Sequence, residues 1–230
     1  MTLDEIRAGY LFLVNKPQDW SSFDVVKKIR GVTGAKIGHG GTLDPLAIGL
    51  MLVATGSFTK KLTSLQELSK EYTGAIYIGA TRPSYDKETE IDQTWDISAI
   101  TEKDILNAAI TLTGVIQQTP PVYSAIKVNG TRSYELARKG IAQELKVRTQ
   151  EIFEFEIEKI ELPLVYFRVH CSKGTYIRSL ANDFGKALGM GAYLEQLTRT
   201  RIGEYSLGDA WDMDALMSEL RELKVSQRTL

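Results

Sequence analysis

Strand-like runs outnumber helical ones along this chain, and the two kinds do not alternate strictly. That order favours an α+β arrangement over a doubly wound parallel sheet. Tyr10–Val14 and Gly49–Ala54 are continuous apolar runs of the buried-strand type. Tyr72–Ile78 and Val147–Glu161 alternate with a period of two, and Leu164–Cys171 and Tyr193–Ile202 also read as strands. In the longest, Ile152, Glu154, Glu156 and Glu158 are expected on the face opposite Phe153, Phe155 and Ile157. Helices are expected from Ser21 or Ser22 to about Val32, with Phe23, Val26 and Ile29 inward and Gly34 at the end. Others are expected over residues 57–68, from a Thr101–Asp104 capping box to about Leu112, and over Ser133–Arg138. A further helix is expected from a Thr175 cap through Tyr176 to about Leu188, and the last starts at Asp212 with Leu216 and Leu220 inward. No repeat, linker or domain boundary is evident.

The most unusual stretch is Gly38-His-Gly-Gly-Thr-Leu-Asp-Pro-Leu-Ala-Ile-Gly-Leu50. Four of its thirteen residues are glycine, and Asp44 is the only Asp, Glu, Lys or Arg between Lys36 and Lys60. Glycine lets a chain turn sharply and approach a ligand closely. Pro45 biases Asp44 toward extended backbone. Asp-Pro is also a common turn dipeptide, so the loop alone is equally a plain turn.

Composition narrows the functions. The single cysteine, Cys171, excludes an internal disulfide framework and favours a reducing compartment. Two histidines, His39 and His170, leave too few ligands for a usual zinc site, while counting leaves a carboxylate-held magnesium open. The start of the chain lacks the basic region and long apolar run of a signal peptide, and no run reaches transmembrane length. A cytoplasmic protein is expected. Net charge is −1, but the charge is segregated. Residues 85–104 carry seven acids against two lysines. Lys127, Arg132, Arg138 and Lys139 cluster, as do Arg168, Lys173 and Arg178, and Arg199 and Arg201 follow. Such runs either present a basic face to phosphates or form ordinary solvated faces. Arg178 falls in the first turn of its helix, where the dipole favours acids, so it is either a surface residue of little consequence or one with a partner elsewhere.

Four stretches in order resemble the TruB family of bacterial tRNA pseudouridine-55 synthases. They are Gly38–Leu50, Lys70-Glu-Tyr72, Pro120-Pro-Val-Tyr-Ser-Ala-Ile-Lys127 with Gly130–Gly140, and Cys171-Ser-Lys-Gly-Thr-Tyr-Ile-Arg-Ser179. The resemblance runs from about Gly9 to Gly203. It implies the pseudouridine synthase fold: a mixed, mainly antiparallel sheet with flanking helices and a central catalytic cleft. It implies isomerisation of one uridine in the T loop of tRNA, with no cofactor, no metal and no obligatory protein partner, by what is expected to be a monomer. Asp44 matches the catalytic aspartate, Tyr72 the aromatic that stacks on the base and serves in proton transfer, and Arg178 the arginine paired with the aspartate. His39 matches a histidine holding the flipped nucleotide, with Gly40 and Gly41 allowing close approach. Tyr176 and Leu197 match pocket-lining positions. Residues 120–140, with Lys127 and Arg132, match a thumb-like arm that closes on RNA.

The chemistry suits those residue types. A stacked uridine must be extruded before it can react. Burial disfavours a charged acid, and a nearby arginine favours it. Attack on C1′, attack on C6 and proton abstraction all remain open for Asp44. Two departures from the family stand out. The acidic motif after the Tyr72 strand reads Thr81-Arg-Pro-Ser-Tyr-Asp86, where Asp86 is the residue able to keep that role. Many relatives continue into a PUA domain, and a complete one is not expected here, which leaves one catalytic domain over residues 1–230.

Overall fold

The computed structural model describes residues 1–227 except Ala125, Ile126, Asn129, Ala142 and Glu144, and the side chains of Lys127, Val128 and Arg132 also lie outside the described set. In chain order the elements are α1 (Leu3–Gly9), β1 (Leu11–Lys16), α2 (Ser22–Thr33), β2 (Ile37–His39), β3 (Ile48–Thr55), α3 (Leu62–Glu67) and β4 (Lys70–Ile78). Then come α4 (Glu102–Thr111), β5 (Gly114–Gln118), α5 (Ser133–Arg138), β6 (Arg148–Glu161), β7 (Leu164–Cys171), α6 (Ile177–Ala187), β8 (Ala192–Ile202) and α7 (Met213–Ser226). Several two-residue strands complete the set. The pairing is mainly antiparallel, as the resemblance implies, and the α+β class is observed.

The chain forms two compact units, Met1–Tyr72 with Leu197–Leu230, and Thr73–Gln196. In the first unit, β1 pairs antiparallel with β3 from Leu11↔Ala54 to Lys16↔Gly49. β2 lies antiparallel on β3, and the end of β8 lies parallel to it at Thr198↔Ile48 and Arg199↔Gly49. The apolar run of β3 is continuous because both of its faces are covered. Met51 and Val53 pack with Phe12, Val14, Val26, Ile29, Leu216 and Leu220, while Leu50 and Leu52 pack with Leu65 and Ile202. Helix α2 has the expected caps: a Ser21–Asp24 capping box and a left-handed Gly34 whose N–H donates to the Arg30 carbonyl. Phe23 does not face inward. It is 61% exposed, and Val25 takes the inward place. Residues 57–68 are not one helix; a 3₁₀ turn over Gly56–Lys61 leads into the short α3. The α1 helix was not expected, although its Thr2–Glu5 capping box is legible in the sequence.

In the second unit β6 is the central partner, antiparallel to β5 on one side and to β7 on the other. Ile152 and Phe155 are both buried there, with Phe155 against Phe167 and Phe184. Strict alternation would put them on opposite faces. The register shift between Ile152↔Cys171 and Glu154↔His170 inserts one extra residue, and this bulge turns Phe155 onto the face of Ile152. Thr175 does not cap α6. Its hydroxyl donates to the Ser172 carbonyl, and Tyr176 is the cap residue.

Candidate active site

The Asp44 loop leaves β2 at Gly40 and re-enters the sheet at Ile48. Gly40 N–H donates to the Leu52 carbonyl at 2.8 Å, which continues the β2–β3 pairing to the start of the loop. Gly41 has φ +139° and Gly49 has φ +108°, so both ends adopt backbone that other residues rarely take. Between them the main chain is anchored on each side of Asp44. Leu43 N–H donates to Ser22 Oγ at 2.8 Å, and Ser22 Oγ donates back to the Leu43 carbonyl at 3.0 Å. The Pro45 carbonyl accepts from Asp19 N–H at 2.9 Å and from Lys16 Nζ at 3.2 Å. Ala47 N–H donates to the Asp44 carbonyl at 3.1 Å and closes a turn over Pro45–Leu46. The Asp44 side chain is half-buried. The glycine-rich stretch is thus more than a turn: it holds one acid between two fixed neighbours.

Two buried cations surround this loop. Lys16 ends β1 with no exposed surface and donates to the carbonyls of Pro17 at 2.8 Å, Trp20 at 2.6 Å and Pro45. Burial pushes its ammonium down to about 8, while the charge of Asp44 opposes that loss. Arg199 is 2% exposed and donates to the carbonyls of Leu50, Thr42 and Gly41. His39 is half-buried, and its Nδ1 accepts from Gly41 N–H at 3.4 Å. Burial, with the charge of Arg199, lowers its proton affinity and favours the neutral imidazole. Tyr72, buried at 8% exposure, and the half-buried Leu197 belong to the same unit.

The second unit carries Arg178, Tyr176 and the arm. Arg178 is 5% exposed, and its Nε lies 3.5 Å from Asp86 Oδ2. It donates to the carbonyls of Tyr123 at 2.9 Å and Ser84 at 3.3 Å. Its position at the positive end of α6 therefore has partners, one of them the acid Asp86. Asp86 is itself set by Glu88 N–H at 2.9 Å. The backbone of Tyr176 is held at both ends by Gln118, which accepts from its N–H at 2.8 Å and donates to its carbonyl at 3.1 Å. In the arm, Ser133 Oγ donates to the Val122 carbonyl, Tyr134 N–H to the Ser124 carbonyl, and Arg138 pairs with Glu88. Lys127 and Arg132 face each other across a two-residue hairpin, while their side chains lie outside the described residues.

Among the described residues, several cations of the basic runs are already engaged. Arg168 is taken up by Glu154 and Glu156, Arg138 by Glu88, and Arg178 and Arg199 are buried. Sequence patterns do not mark Lys16, Ser22, Arg199 or Gln118 as site residues. Lys16 carries one signal, a lysine closing an apolar strand just before Pro17. Arg199 is marked only as a basic residue beside Arg201, a pattern that gives no sign of burial against the Asp44 loop. Among the described residues no group of three or more His, Cys, Asp or Glu side chains is arranged to hold a metal ion. Nor is any helix among them long and apolar enough to cross a membrane.

A family model described as TruB family pseudouridylate synthase (N terminal domain) matches residues 27–177. A second, tRNA pseudouridylate synthase B C-terminal domain, matches residues 178–228. The chain is 50% identical over 229 residues to tRNA pseudouridine synthase B of Flavobacterium johnsoniae, covering 96% of this chain and 100% of that one. It is 48% identical over 218 residues to the protein of the same name from Chlorobaculum tepidum, covering 92% and 91%. Among solved structures, a Cbf5-Nop10-Gar1 complex matches with TM-score 0.73 and 27% identity over 97% of this chain and 61% of that one. An H/ACA RNP bound to a substrate RNA containing 2′-deoxyuridine matches with TM-score 0.73 and 26% identity over 97% and 57%. The chain thus spans about three-fifths of those solved chains. With the fold, the anchored acid and both family models in agreement, the chain belongs to the TruB family of pseudouridylate synthases.

Proposed function

We propose that this protein converts uridine 55 in the T loop of tRNA to pseudouridine, acting alone as a cytoplasmic monomer without cofactor or metal. The reaction is an isomerisation. The C1′–N1 bond breaks, the uracil turns, a C1′–C5 bond forms, C5 loses its proton and N1 ends protonated. Asp44 is the group that acts on the nucleotide, and Tyr72 stacks on the base and assists removal of the C5 proton. Arg178, which also pairs with Asp86, is assigned as the charge partner of the aspartate on the family resemblance. His39 holds the extruded nucleotide beside Gly40 and Gly41, and Tyr176 and Leu197 line the base pocket. Lys127 and Arg132 of the arm meet the RNA backbone.

The observation that carries this reading is the anchoring of Asp44. Hydrogen bonds to the main chain of Leu43 and Pro45 fix the backbone on both sides of Asp44, so the acid projects from a held position, as a reacting group requires. The names of the relatives from Flavobacterium johnsoniae and Chlorobaculum tepidum support tRNA as substrate. The test is release of tritium from C5-labelled uridine in a bare T-arm stem-loop with purified protein alone. The parent is expected to release it, and Asp44→Asn to be slower by at least about 1,000-fold, since a group acting directly in the chemistry is lost. Appreciable turnover by Asp44→Asn removes the central role, and a requirement for a guide RNA or second protein removes the stand-alone substrate assignment.

A further inference from the structure

Arg199 is a buried guanidinium whose described hydrogen bonds all end on main-chain carbonyls of the Asp44 loop and of the strand that follows it. Its Nε donates to Leu50 at 2.7 Å, one terminal nitrogen to Gly41 at 3.2 Å and the other to Thr42 at 3.4 Å. Gly41 and Thr42 open the loop, and Leu50 follows its close. One planar side chain therefore fixes the separation of the two ends. Its backbone does the same from the strand below. A Cβ on Gly49 would stand 2.4 Å from the Arg199 carbonyl oxygen and 2.8 Å from its nitrogen, so strand and loop meet with no room for a side chain. Burying a cation is costly unless its donors are satisfied, and removing an arginine from such a place frees several carbonyls at once. Its charge is also felt nearby, by His39 and by Lys16.

We infer that Arg199 is a positioning residue for the reaction: it clasps both ends of the Asp44 loop and so sets the aim of the carboxylate, without itself touching RNA. This rests on the reading of Asp44 as the reacting group. Arginine suits the task better than lysine, because a fork of donors can reach three carbonyls in fixed directions and a single ammonium cannot.

The test compares parent, Arg199→Lys and Arg199→Met on T-arm stem-loop RNA, with single-turnover rate and dissociation constant measured separately. A misplacement of about 1 Å at a reacting group costs about 100-fold. Arg199→Met is accordingly expected to lower the single-turnover rate by about that factor with RNA affinity unchanged, and Arg199→Lys to recover part of it. Should the methionine variant not fold, Arg199→Lys alone decides. A slower rate at unchanged affinity supports the clasp, and a rate equal to the parent's overturns it. Hydrogen exchange gives a readout free of activity. Peptides covering residues 40–50 should exchange faster in Arg199→Lys while those from α2 and α7 stay as in the parent; unchanged exchange in 40–50 overturns the inference. If the parent itself leaves the uridine unconverted, the proposed function fails, and the exchange result still decides the clasp.

Discussion

Lys16 has its ammonium solvated by three carbonyl oxygens instead of water. The folded chain holds its proton affinity at about 8, below the ordinary 10.5 of the unfolded chain. Between those values the unfolded state binds more protons, so this group makes stability rise with pH across that window. Compared with Lys16→Met, the parent should therefore gain on the order of 2 kcal/mol between about pH 8 and about pH 10.5. Urea unfolding of both proteins at several pH values measures it, and a constant difference refutes the assignment. At this scale the sequence was only partly legible. Asp44 stood out because glycines and apolar residues isolate it. The groups that hold it did not, since Lys16, Ser22 and Arg199 act from other elements on main-chain atoms, which carry no sequence signature.

Elements were more legible where their signals are local. The capping boxes at Ser21 and Thr101, the left-handed Gly34 and the α5 boundaries follow from residues a few positions apart. The β6 bulge did not, because a register shift depends on the partner strand. Glycines separate the two kinds of constraint. Gly34 has φ +67°, and a Cβ added there would meet nothing within 4 Å, so Gly34→Ala should cost about 1 kcal/mol, from backbone conformation alone. Gly49 has φ +108° and abuts Arg199 main-chain atoms, so Gly49→Ala should cost at least about 3 kcal/mol by strain plus a forced backbone shift. Thermal or urea unfolding distinguishes them. Equal losses at the two sites would show that the contact with Arg199 is not a tight one.

At the scale of the molecule, the first unit is discontinuous in sequence. Its main core joins Phe12, Val14, Met51 and Val53 to Met213, Leu216, Met217 and Leu220, which α7 supplies from the far end. A fragment of residues 1–72 should consequently lack a cooperative unfolding transition and bind a hydrophobic dye, because those residues lose their cover. A sharp transition in that fragment would place its stability within the first three helices and three strands. This discontinuity is also why the α+β class could be read from run order while the division into two units could not. Chain order shows which elements exist, and long-range closure decides which share a core.

The clasp on the Asp44 loop has a consequence for the protein's birth. Asp44 is made early, and Arg199 follows roughly 150 residues later, which at about 5–20 residues per second is about ten seconds or more of translation. Throughout that interval the nascent chain carries Asp44, the acid proposed to react, on a loop without the Arg199 contacts. On the roles proposed for Asp44 and Arg199, catalytic competence arrives only after Arg199 has emerged and its strand has joined the fold.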